Sequence, residues 1–181
     1  MSPSLYEIGI NPYIGAFEAF KAIFQKAKDH AGIEADSYLT ARLYEDMYPL
    51  SYQVQVVTYM AIDSIEKLVP QLDVPKLEDN ETTMQDLIAR AEKGLEMIRK
   101  IDPKDLEGVE DKVVQFSPRA PMDVVVTDGK GYALGFTTPN LYFHLTTAYA
   151  ILRMKGVPLG KMDYWLPCLE THVHSRHKYI K

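Results

Sequence analysis

Apolar residues recur along this chain with the three-four spacing of amphipathic helices, and four long stretches carry the pattern. The first holds Leu5, Ile8, Tyr13, Phe17, Phe20 and Phe24, running to about His30 with Gly32 placed as its C-cap. Pro12 falls inside it, so the stretch reads either as one kinked helix, which we prefer, or as a helix capped by Asn11 and opened by Pro12. Asp36 or Ser37 is placed to cap a short helix through Leu43. The second long stretch holds Leu50, Val54, Val57, Ala61, Ile65 and Leu68, starting near Tyr48 or Pro49 and stopping before Pro70. After a loop rich in proline and charge comes the third, with Met84, Leu87, Ile88, Ala91, Leu95 and Ile98 behind a capping box read at Thr82 and Gln85.

Two short β-branched runs, Lys112–Ser117 and Met122–Thr127, flank a Pro-Arg-Ala-Pro turn and predict a hairpin. The fourth long stretch follows it. Gly131–Leu152, GYALGFTTPNLYFHLTTAYAIL, carries no formal charge in a chain that is 25% Asp, Glu, Lys and Arg. Leu141, Leu145, Ala148 and Ile151 or Leu152 line one face, and Phe143, Thr147, Ala150 and Met154 give the opposite face little polarity either. Such a helix is expected in the middle of a bundle. Pro139, Asn140, His144 and the threonines make it too polar to span a membrane. The fold predicted is all-α: a four-helix bundle over residues 1–165 with a small β-hairpin inserted before the last long helix. Residues 166–181 read as a His-rich tail.

At 181 residues and 46% hydrophobic, one domain with one sizeable core is expected. The net charge of −5 argues against binding nucleic acid or anionic membrane through a basic patch. A single cysteine, Cys168, and an N-terminus without a basic leader or apolar core predict a cytoplasmic protein, with nuclear entry open at this size.

Three segments bear a resemblance: TARLYEDMYPLSYQVQ (Thr40–Gln55), DNETT (Asp79–Thr83) and PNLYFHLTTAYAILRMKGVPLGKMDYW (Pro139–Trp165). Together they are similar to an uncharacterised family of bacteria and fungi grouped with the DinB/YfiT-like metalloenzyme superfamily, over roughly residues 3–165. The resemblance implies a DinB-like four-helix bundle, a homodimer and a cleft between the helices. It brings no established reaction. The wider superfamily holds a divalent metal on three histidines, one from the second helix and two a turn apart on the last. Here His144 falls in a suitable place, but Ala148 and Asn140 stand one turn to either side. The second helix offers Gln53, Gln55 and Asp63 and no histidine. Amides are poor ligands for such a metal, so no cofactor is expected, with zinc or nickel as the alternative.

His144 is the candidate acid/base, against the plain reading of a neutral core histidine. Candidate ligand contacts are Gln53, Arg42, Asn140, Tyr149 and Thr147. Gln53 and Gln55 lie roughly 200° apart on a helix, so only one can face a cleft, and Gln53 is preferred. Arg42 and Asp46 are four apart and read first as an ion pair, while threonines on buried helices usually bond their own backbone. His172, His174 and His177 form a hydrophilic cluster read as a solvated terminus. Three functions compete: metal-independent acid/base chemistry on a small molecule, a dimeric binding or scaffold bundle, and a divergent metal enzyme using Asp46 or Glu81 beside His144. The scaffold reading predicts a cleft occluded by Phe143 and Met47.

Overall fold

The computed structural model describes residues 3–117 and 124–173. The chain enters through a π-helical turn, Tyr6–Ile10, that runs straight into α1, Asn11–Ala31. Pro12 sits in the first turn of α1, where its missing N–H costs nothing, and so the two pieces form one continuous element. Gly32 ends α1 at φ 57°, a left-handed conformation that favours glycine. Next comes a 3₁₀ stretch, Gly32–Thr40, in place of the predicted helix through Leu43. Asp36 does not cap that segment; its carboxylate accepts from the Met84 amide at 2.7 Å and so caps a distant helix.

Helix α2 spans Leu50–Leu68 and α3 spans Met84–Ile98. The α3 capping box lies one residue later than the sequence suggested. Thr83 Oγ1 accepts from the Asp86 amide at 3.1 Å, and Asp86 accepts from the Thr83 amide at 2.8 Å. Strands β1 (Val114–Phe116) and β2 (Val125–Thr127) pair antiparallel with Gln115 opposite Val126. The predicted Pro118–Pro121 turn lies outside the described residues. A turn at Gly129–Gly131 and a π-helical stretch, Tyr132–Thr137, lead into α4, Thr138–Met154.

Helix α1 contacts α3 and α4, and α2 contacts the same two, so the four close a ring around one core. The uncharged helix is not the middle of this bundle. On α4 the stripe of Leu141, Leu145, Ala148, Ile151 and Leu152 is buried together with Thr147, while Phe143 is 58% exposed and Met154 51%. The most enclosed helix is α1, whose Ala16, Phe17, Ala19, Phe20, Ile23 and Phe24 are all sealed from water. It approaches α3 so closely that a Cβ on Gly94 would meet the Phe17 ring at 2.5 Å. A further helix, α5 (Lys161–Glu170), packs along α1 and is tied to it by Lys26 and Asp163 at 2.8 Å. It crosses residue 165, where the sequence reading ended the bundle and began the tail. His174 and His177 lie outside the described residues. Among the described residues, no helix is long and apolar enough to cross a membrane.

Candidate functional site

Helix α2 starts after Pro49, whose extended backbone (ψ 174°) lets residues 41–49 approach as a turn-rich loop. Gln53 lies one turn into the helix and curls back, donating from Nε2 to the carbonyls of Tyr48 and Pro49, both at 3.0 Å. That side chain is 2% exposed. Its Oε1 lies 2.8 Å from Nδ1 of His144, reaching across from α2 to α4. Tyr52 stacks on Tyr48 with ring centroids 4.0 Å apart and meets the imidazole edge-on at 6.2 Å. Phe143 stands perpendicular to the imidazole at 5.1 Å. Met47, Tyr48, Gln53, Phe143, His144 and Thr147 line a cavity of about 120 Å³.

Burial pushes the His144 pKa down from the usual 6.5 to about 4, because the apolar walls disfavour an imidazolium. The ring is therefore neutral at pH 7. No Lys, Arg, Asp or Glu is among the lining residues. Thr147 lines the cavity too, but its hydroxyl donates to the Phe143 carbonyl at 2.8 Å, as threonines on helices commonly do.

Of the six residues singled out from the sequence, the fold brings His144, Gln53 and Thr147 together. Arg42 is elsewhere, and it does not pair with Asp46, because residues 41–47 are not helical. It donates instead to the Met47 carbonyl at 2.9 Å, holding the loop that supplies one cavity wall. Asn140 donates to the Phe136 carbonyl at 2.7 Å, a local bond beside Pro139. Tyr149 follows His144 by five residues, roughly 140° around the helix, and so turns away. It meets Tyr164 of α5 edge-on at 6.0 Å and borders a separate hollow with Thr146, Lys161 and Tyr164. Sequence reasoning missed Tyr48 and Tyr52, whose i,i+4 spacing beside Gln53 is the signal that could have found them.

A second polar cluster lies where the loop before α3 crosses α2 and α3. Arg90, 2% exposed, donates from Nη1 to Glu81 at 2.7 Å and to the Glu78 carbonyl at 2.9 Å, and the same nitrogen forms an ion pair with Asp79 at 2.9 Å. Gln55 holds the other Glu81 oxygen at 2.7 Å, and Tyr59 stands 5.7 Å from the guanidinium. Nη2 of Arg90 is enclosed without a partner. The hollow beside it, about 590 Å³, is lined by both signs of charge: Lys76, Lys93 and Arg90 against Glu78, Glu81 and Asp86. A third polar group is internal. Tyr13 pairs with Ser64 at 3.0 Å and Tyr132 donates to Asp63 at 2.6 Å, with burial pushing both phenol pKa values up.

The three-histidine metal of the wider superfamily does not fit these residues. His144 faces an amide on α2, with Ala148 and Asn140 a turn away on its own helix. Among the described residues, no three His, Cys, Asp or Glu side chains gather closely enough to hold a metal ion. An amide oxygen and one imidazole make a weak donor set for a borderline divalent ion.

A ring of four helices with a two-stranded hairpin ahead of the last defines a DinB-like helical bundle. The chain belongs to the family described as a domain of unknown function (DUF1993), whose model matches residues 5–165. A crystal structure of a DinB family member protein from Shewanella denitrificans is similar over 88% of this chain and 90% of its own, at 34% identity and a TM-score of 0.75. No curated protein matches the chain.

Proposed function

We propose that this chain is a small-molecule-binding protein, with the ligand held at the His144–Gln53 pair and without a metal. The observation that supports it is the 2.8 Å contact between Nδ1 and Oε1, which orients an otherwise lone imidazole beside a cavity. A cavity of about 120 Å³ is smaller than the several hundred Å³ usual for a metabolite. It suits a small ligand, or one end of a larger one whose remainder passes the exposed Phe143. Binding is favoured over proton abstraction. A base is most effective when its pKa lies near the working pH, and that of His144 lies well below it.

The scaffold reading keeps one specific support: Met47 and Phe143 both stand in the cavity wall, as an occluded cleft requires. A cytoplasmic homodimer belongs to the proposal as well, on the strength of the family resemblance and the lone cysteine.

Thermal unfolding against a library of small fragments tests the reading. A binder at one hundred times its Kd stabilises the folded chain by about 2.7 kcal/mol. That gain is expected in the native chain and absent in His144→Ala. Fragments that stabilise both equally would place binding elsewhere.

A further inference from the structure

Gln53 decides which nitrogen of His144 carries the proton. Both carbonyls at its Nε2, those of Tyr48 and Pro49, can only accept, so that end of the amide is the NH₂ and the other is the oxygen. Oε1 can itself only accept, so the imidazole nitrogen 2.8 Å away, Nδ1, must be the one bearing hydrogen. A neutral ring has a single N–H, which leaves a lone pair on Nε2. Among the described residues, no protein donor bonds that atom. The cavity wall adds no cation, and the Thr147 hydroxyl is committed to its own helix. Among the lining residues, Tyr48 supplies the one uncommitted hydroxyl, on a side chain 61% exposed.

We propose that the site recognises its ligand through an N–H or O–H group donated to Nε2 of His144, so that it takes amines or alcohols and rejects carboxylates and phosphates. This rests on the binding reading above and gives it a polarity. A carboxylate here would set one lone pair against another with no cation nearby to offset its desolvation. The ring cannot readily take a proton to greet it, since burial already disfavours the charged form. An ammonium gains further from the aromatic side chains of Phe143 and Tyr48 in the cavity wall, which an alcohol does not. The volume fits two- or three-carbon groups: an engineered cavity of about 150 Å³ holds benzene.

The test is imidazole ¹⁵N NMR on the full chain at pH 7, with the His144 signals assigned by their loss in His144→Gln. The free protein should show hydrogen on Nδ1 and none on Nε2. The opposite tautomer, or an imidazolium, would overturn the proposal before any ligand is added. Ethylammonium, ethanol and acetate, matched in size, are then titrated. A saturable shift of Nε2 by ethylammonium identifies an amine site and one by ethanol alone an alcohol site; either supports the proposal. Acetate should bind at least about ten-fold more weakly, the worth of one hydrogen bond. Acetate binding as well or better sinks the proposal but leaves a small-molecule site in place. No shift with any probe, and none in the fragment screen, removes the binding reading itself.

Discussion

Helix α2 contributes to two buried polar assemblies of opposite design. At Arg90 the groups are ionic and over-connected: one guanidinium nitrogen meets two carboxylates and a carbonyl, and Gln55 holds the far side of Glu81. At His144 the groups are neutral and connected once, through Gln53. Among the described residues, each assembly leaves one nitrogen without a protein partner. Nη2 of Arg90 is walled in although the residue borders a hollow, whereas Nε2 of His144 is not among the enclosed atoms and its ring borders a cavity. The first arrangement fastens a loop beside a larger hollow lined by both signs of charge, and the second stands beside a smaller one whose lining carries none. Charge density alone is thus a poor guide to a binding site. A spare atom beside a void is the better one.

If Arg90 is the fastener, Arg90→Met should cost the most. It strands Glu81, 7% exposed, without its cation, and the loss should be roughly 3 kcal/mol in urea unfolding at pH 7. Gln53→Leu comes next: two carbonyls and Nδ1 lose their partner together, for about 2 kcal/mol by the same measurement.

The two regions also separate by pH. His144 titrates at about 4 when folded and near 6.5 when unfolded, so between these values the unfolded chain binds a proton that the folded chain refuses. Stability from this source is complete above pH 6.5 and declines as the pH falls toward 4. Comparing urea midpoints at pH 7 and pH 5, the native chain should lose about 1 kcal/mol more than His144→Leu, after allowing for the ring's partial exposure to water. Gln55→Ala should be the mildest change, about 0.5 kcal/mol, since Arg90 still holds Glu81. A larger loss there would mean the ionic cluster depends on its neutral member.

The long helices were legible because each buries one stripe, and a stripe leaves a period in the sequence. The middle of the bundle was misjudged because absence of charge is not burial: Phe143 and Leu134 are apolar and yet 58% and 55% exposed. Helix α5 left little trace, for it is ten residues long, contains Pro167 and buries none of them fully. At the site, helical spacing favoured Gln53 over Gln55 and the uncharged helix singled out His144, but nothing in the sequence joined the two. Met47 entered only as a plug in the scaffold reading, and Tyr48 was passed over although it stands four residues before Tyr52, because the loop before α2 has no longer repeat to read. Arg90 was hidden differently. It shares the apolar face of Leu87, Ala91 and Gly94, and nothing in local spacing connects it with Asp79 or Glu81.

The two oxygens gripping the Gln53 amide belong to the main chain at residues 48 and 49. Peptide groups survive any exchange of side chain, so the anchor itself cannot be deleted by mutation, only pulled out of place. Unwinding the first turn of α2 would set the amide loose to rotate and let the imidazole swap its donor and acceptor edges. The chemical sense of the pocket is therefore tied to whether one helix has properly begun.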